Sequence, residues 1–238
     1  MVCNISRVSQ PLPAPAMTRP PSSAEIAADY VRTLIFKGVL RPGDKVPVDE
    51  IAERIGISRQ PVREALIELG DDGLVRIDSR RGTFVGAFGP QTVRDHYELM
   101  GLLQSFAVRR VAELGDADVA SRLRDLERRA NAAEHPGDRR ELVIEVLRTI
   151  NRAASNTRLR MVMRSMSRFT PGDYYFREVP GAVEHNRKWL RAIVGAIESG
   201  DADRGADAAI EMSRRSGEQL IAHLQAAGVF TTAPHDNS

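Results

Sequence analysis

The sequence predicts a mainly α protein, with an N-terminal winged helix-turn-helix and an all-helical C-terminal bundle. Two observations carry this. Between Val48 and Val85, two stretches with helical spacing are followed by two short β-prone runs around a basic turn. From Thr92 to Ala227, apolar residues recur at helical spacing, interrupted by breaks centred on Gly, Pro and Asn.

The first short helix starts near Val48, where Ile51, Ala52 and Ile55 make an apolar stripe. Gly56 ends it, because glycine accepts the left-handed conformation of a helix terminus. Ser58 stands as the N-cap of the second helix, its hydroxyl placed to accept a backbone N–H, and Pro61 falls in the first turn, where a missing N–H costs little. Val62, Ala65, Leu66 and Leu69 form the buried face of this helix. Ser58, Arg59, Gln60 and Arg63 form its exposed leading face, the place from which a recognition helix reads bases. Arginine offers parallel donors to guanine and glutamine a donor and an acceptor to adenine, so the residue types suit the major groove. After Gly73 the period changes. Leu74, Val75 and Ile77, then Phe84 and Val85, flank Ser79-Arg80-Arg81-Gly82-Thr83, a hairpin that brings Arg80 or Arg81 to the minor groove or backbone, with Gly82 permitting close approach.

Charge does not decide between DNA binding and a solvated surface. Residues 1–90 hold 12 Lys and Arg against 11 Asp and Glu, so affinity has to come from placement rather than from a net field. The alternative use of these residues is a vestigial winged helix on a ligand-binding or scaffold protein.

The segments KGVLRPGDKV (Lys37 to Val46), ERIGISRQPVREAL (Glu53 to Leu66), GDDGLV (Gly70 to Val75) and RRGTFV resemble the winged helix-turn-helix of GntR-type bacterial transcription regulators. The resemblance covers roughly Ala24 to Val85. It implies DNA contacts at Arg59, Arg63, Arg81 and Gly82. One departure is Asp49, which stands where the family often has a DNA-contacting arginine; it implies a lost phosphate contact and a narrower choice of operator.

With 42% hydrophobic and 28% charged residues over 238 positions, the chain has the profile of two ordinary globular domains, and no stretch approaches the ~20 apolar residues of a membrane span. The organisation expected is a disordered Pro-rich tail at 1–22, the winged helix at 23–88, the helical domain at 91–228 and a C-terminal tail at 229–238. The single cysteine, Cys3, makes no internal disulfide, in keeping with a cytoplasmic protein. In the helical part, breaks at Gly115-Asp116, His135-Pro136-Gly137, Asn156, Thr170-Pro171-Gly172, Pro180-Gly181 and Gly200-Asp201 delimit about six helices. The first carries Val93, Tyr97, Leu99, Leu102, Leu103, Phe106 and Val111, an apolar breadth that suits contact with both its own domain and a second subunit.

The order of YELMGLLQSFAVRRVAEL (Tyr97 to Leu114), RAASNTRL (Arg152 to Leu159) and WLRAIVGAIESGDADRGADAAIEM (Trp189 to Met212) resembles the FCD domain of the FadR-like subfamily, an effector-binding bundle. That family commonly holds a divalent metal on one aspartate and three histidines. Here the corresponding positions are Val143, Leu147, Leu190 and Met212, and an arginine and a glutamate of the first helix are replaced by Met100 and Gln104. No metal and no other cofactor is expected. His96, His135, His185, His223 and His235 share no ligand spacing.

Two readings follow. Either the cavity has closed and these residues are core, or it persists with an apolar lining of Met100, Val143, Leu147, Leu190 and Met212, suited to a fatty acid or acyl-CoA-like effector. Met161, Met163 and Met166 add adaptable apolar surface. Arg148, Arg152, Arg164 and Arg168 are candidates for a polar head, and Tyr174, Tyr175 and Phe176 for a pocket entrance. The runner-up effector is a polar organic or sugar acid. The sequence has no phosphate loop, nucleophile motif or carboxylate pair, so it reads as a regulator and not as an enzyme. The expected partners are a double-stranded, palindromic DNA operator, a second copy of the chain as a homodimer, and the effector; the expected action is repression, with no membrane role.

Overall fold

A computed structural model of the chain describes residues 20–154, 156–171 and 174–230. The N-terminal tail up to residue 19, with Cys3, and residues 231–238, with His235, lie outside the described residues.

The N-terminal unit comprises α1 (Ser23–Phe36), α2 (Val48–Ile55), α3 (Arg59–Asp71) and a hairpin of β1 (Val75–Asp78) and β2 (Gly82–Val85). A capping box starts α1: the Ser22 hydroxyl accepts the Glu25 N–H at 3.2 Å, and the Ser22 N–H donates to the Glu25 carboxylate at 2.7 Å. Gly56 ends α2 with φ of 70°. Ser58 is the N-cap of α3 with extended backbone, but its hydroxyl makes no capping hydrogen bond, so the side-chain cap expected from the sequence is not formed. The antiparallel hairpin pairs Val75 with Val85 and Asp78 with Gly82. Lys45 adds a bridge to Phe84, which ties the segment before α2 to the wing.

The helical unit comprises α4 (Pro90–Leu114), α5 (Ala117–Ala132), α6 (Pro136–Ala153), α7 (Thr157–Met166), α8 (Tyr174–Glu178), α9 (Ala182–Ser199) and α10 (Ala202–Ala226). The breaks fall where the sequence places them. The Thr170 to Ala182 stretch, expected as a loop, contains the five-residue α8, giving seven helices among the described residues rather than six. Helices α4 and α10 run together over most of their length. Glycines make this possible: a Cβ on Gly205 would meet Val108 Cγ1 at 2.8 Å, and one on Gly217 would meet Tyr97 Cβ at 2.8 Å. Such distances fall inside van der Waals contact, so only glycine allows the two backbones to approach this closely.

The two units share packing. One apolar cluster joins Val31, Ile35, Phe36, Leu69 and Phe88 of the winged helix to Phe169, Tyr174, Leu220 and Leu224 of the helical unit. Val229 is fully buried in that cluster, and Phe230 lies against Phe88 with ring centroids 5.5 Å apart. Up to residue 230 the chain after α10 therefore still packs on the core, with Val229 buried and Phe230 half-buried, although the expected C-terminal tail begins at 229. The second cluster holds the helical unit together around Leu123, Val143, Val146, Ile150, Leu190 and Ile193. Among the described residues, no helix is long and apolar enough to cross a membrane.

Candidate DNA-reading face and effector cavity

Ile51 and Ala52 of α2 and Val62, Ala65, Leu66 and Leu69 of α3 are buried, which forces the opposite faces outward. Ser58, Arg59, Gln60 and Arg63 are all exposed on α3, and Arg80, Arg81 and Gly82 are exposed at the tip of the hairpin. The structure thus brings the seven sequence-selected residues to the surface on two neighbouring elements. Asp78 shapes the tip: its Oδ1 accepts the N–H groups of Arg80 and Arg81, each at 3.0 Å. These backbone hydrogen bonds, with help from the nearby Arg81 and Arg76 guanidinium groups, hold its carboxyl below the ordinary aspartate range. Gly82 follows at φ of 104°, a conformation that side chains rarely adopt. Arg81 and Arg76 both stand over the Phe84 ring, at 5.8 and 5.5 Å from its centroid.

One residue of this face was not selected from sequence. Lys45 lines a surface cleft together with Arg63, Ile77 and Gly82, between α3 and the hairpin. Its position follows from the bridge to Phe84, a long-range pairing that helical spacing does not show.

The second feature is a cavity of about 510 Å³ inside the helical unit. Met100, Leu147 and Met212 line it, together with Ile144, Met163 and Phe176. Val143 and Leu190 do not. They are 0% and 2% exposed and belong to the closed packing between α5, α6 and α9, which corrects the expectation that they face a ligand. The lining is also more polar than that expectation. Gln104, Arg148, Asn151, Asn186 and Ser213 all contribute, and Arg148 is the one charged residue among them.

Gln104 is 7% exposed and makes no hydrogen bond among the described residues, and Asn151 Oδ1 is buried without a partner. Asn186 is held in place by donating to the Ala182 carbonyl at 3.0 Å and to the Tyr175 hydroxyl at 3.4 Å, while that hydroxyl donates to Gln219 at 2.7 Å. Burial pushes the Tyr175 phenol up to about 12, so it stays a neutral donor. Of the other arginines proposed for a polar head, Arg152 pairs with Glu145 and Arg168 reaches Glu68 of α3 at 3.3 Å. Arg164 does not line the cavity. Of the aromatic trio, Tyr175 and Phe176 reach the cavity, whereas Tyr174 turns to the winged helix and donates to the Phe36 carbonyl at 3.0 Å.

Comparison with known proteins fits this arrangement. The model of bacterial regulatory proteins of the gntR family matches residues 23–85, and that of the FCD domain matches residues 95–215. The chain belongs to the gntR family of bacterial regulatory proteins. Its second half is an FCD domain. Two HTH-type transcriptional regulators of Mycobacterium tuberculosis are 33% identical over 142 residues, which is 60% of this chain and 58% of theirs. The HTH-type transcriptional repressor RspR of Escherichia coli is 33% identical over 84 residues, 35% of this chain and 37% of that protein. Among solved structures, E. coli McbR/YncC is similar with a TM-score of 0.57 at 22% identity, covering 87% of this chain and 99% of that one; this likeness speaks for the fold.

The FCD architecture raises the question of a metal, and this chain's residues do not fit one. The positions that resemble family ligands are Val143, Leu147, Leu190 and Met212, none of which offers a donor suited to a divalent cation. Among the described residues, no group of three or more His, Cys, Asp or Glu side chains is placed to hold an ion. His185 lies beside this region, but its Nε2 is 3.4 Å from the Met212 carbonyl, and burial lowers its pKa.

Proposed function

We propose that this GntR-family protein is a DNA-binding transcriptional regulator, working as a cytoplasmic homodimer on a two-fold-symmetric operator. Its DNA affinity changes when a small molecule enters the FCD cavity. The observation that carries the reading is that the stretches Ser167–Thr170 and Tyr174–Phe176 divide their residues between the cavity and the winged-helix unit. Ser167, Thr170, Tyr175 and Phe176 line the cavity. Between them, Arg168 reaches Glu68 on α3, Phe169 packs on Phe36 and Phe88, and Tyr174 bonds the end of α1. A ligand that moves one set moves the other, which is the differential contact that an allosteric effect requires.

Dimer formation is supported by α4, where Leu99, Leu102 and Phe106 fall on one face and are 55%, 57% and 46% exposed. Three large apolar side chains in a row on one helix are the usual mark of a protein contact. Two copies would then present two α3 helices to successive major grooves. Repression is supported by the relative named as a repressor, which matches over part of the chain.

For the effector, the polar organic acid fits better than the fatty acyl chain. An acyl chain filling the cavity would cover the Gln104 amide without pairing it and leave Asn151 Oδ1, already buried without a partner, unsatisfied, at ~1–3 kcal/mol each. We therefore infer an amphipathic organic acid, its carboxylate near Arg148 and its apolar body against Met100, Leu147, Met163 and Met212. Thermal melting and DNA release with 4-hydroxyphenylacetate, citrate and palmitoyl-CoA test this. Stabilisation and release by the first compound are expected; a response to palmitoyl-CoA alone would return the effector to the acyl class.

A further inference from the structure

The leading turn of α3 carries two readers whose polar ends are already committed to a carboxylate. Arg59 Nε lies 2.8 Å from Asp49 Oδ1, an ion pair that crosses from α3 to α2, with the side chains 65% and 67% exposed. Gln60 Nε2 donates to Glu64 Oε1 at 3.1 Å. Arg63, one turn further on, has no protein partner among the described residues. Both committed readers are therefore held by a carboxylate, and the free one is not.

An ion pair this exposed adds next to nothing to stability, because water screens it and two long side chains must be ordered to make it. Its consequence is geometric. The contact is a charge pair without a directed hydrogen bond, so the five N–H donors of the guanidinium stay available, and its two Nη groups match the O6 and N7 acceptors of a single guanine. The pair biases Arg59 towards one orientation before DNA arrives, so less freedom is lost on binding. Asp49 also sets a negative charge on the DNA-facing cleft between α2 and α3, which is lined as well by Glu53, Ser58 and Arg63. Beside a phosphate backbone this charge lowers affinity for every sequence, and the Arg59 contact offsets it only where the right base is present.

We propose that Asp49 is a specificity-determining positioning residue: it holds Arg59 for one guanine of the operator and penalises DNA that lacks it. This rests on the reading of α3 as the helix that enters the major groove. It follows that the same carboxylate makes recognition sharper and non-cognate binding weaker.

The test is selection of duplexes from a random pool by the full chain, followed by competition titrations with Arg59→Ala, Asp49→Ala and Asp49→Asn. Arg59→Ala identifies the guanine position. Asp49→Ala is expected to reduce the preference for that guanine by at least ~5-fold, on the scale of a bidentate contact, and to raise affinity for duplexes lacking the site. Asp49→Asn keeps the shape but removes the charge that faces Arg59, and is expected to behave as Asp49→Ala on both counts. A guanine preference in Asp49→Ala within twofold of wild type would overturn the proposal, and so would Asp49→Asn keeping the wild-type preference. If Arg59→Ala selects the same sequence as wild type, the fault lies in the recognition-helix assignment itself. Matched melting temperatures of the variants show that the fold is intact.

Discussion

Protonation of His96 should loosen the joint between the two halves of the molecule. The imidazole stacks on Phe169 with ring centroids 4.0 Å apart and planes 16° from parallel, and Phe169 in turn packs on Phe36 and Phe88 of the winged helix. Burial holds the His96 pKa down at about 4, against 6.5 for an ordinary histidine. The unfolded chain therefore takes up a proton near pH 6.5, whereas the folded chain does not until about pH 4. The stability involved is complete above the unfolded value and is lost as the pH falls towards the folded one. With 1.36 kcal/mol for each unit of pKa difference, the loss between pH 8 and pH 5 comes to about 2 kcal/mol.

Urea unfolding of wild type and His96→Phe at the two pH values measures this, since phenylalanine keeps an aromatic stack but cannot titrate. The wild type should lose about 2 kcal/mol more than the variant over that interval. His185, whose pKa burial also lowers, is present in both proteins and cancels in the difference. Glu211, held at about 2 by Arg214 and Arg215, titrates below the interval. Equal losses in the two proteins would refute the assignment of a buried, neutral His96.

Three further outcomes follow from packing and charge. Gly217→Ala places a Cβ 2.8 Å from Tyr97 Cβ and should cost ~1–3 kcal/mol by overpacking, whereas Gly195→Ala on α9 meets nothing within 4 Å and should be neutral or stabilising, both read by denaturant midpoints. Arg32 is 3% exposed and pairs with Glu68 and Asp72 at 2.9 Å each, so Arg32→Ala leaves Asp72 without this partner and Glu68 with Arg168 alone, and should cost ~1.5–3 kcal/mol in the same assay. Tyr174→Phe keeps the ring but removes the donor to the Phe36 carbonyl, and calorimetry should show a loss of ~0.5–1.5 kcal/mol.

Local chemistry made the winged helix legible in the sequence. Gly56 marks a left-handed helix end, the apolar residues of α2 and α3 fix which faces are buried, and the same faces leave Arg59, Gln60 and Arg63 outside. The six breaks in the helical unit were legible for the same reason, being set by glycine, proline and asparagine within a few residues. What the sequence did not disclose depends on how distant elements cross. Val143 and Leu147 lie four apart on α6, yet the packing of α5 and α9 closes over Val143 while Leu147 reaches the cavity. The amides of Gln104, Asn151 and Asn186 converge from α4, α6 and α9, a meeting that no spacing within one helix records. The return of Val229 to the core, the packing of Phe230 against it and the Arg59–Asp49 pair are likewise contacts between elements.

The central claim, a sequence-specific DNA reader built on α3, is tested most directly by fluorescence anisotropy. The full chain is titrated against a duplex enriched from random sequence and against the same duplex shuffled, at about 0.15 M salt. The account predicts an enriched site made of two inverted half-sites, bound at least ~1,000-fold more tightly than the shuffled duplex. Failure to enrich any sequence, or equal affinity for the two duplexes, would contradict it.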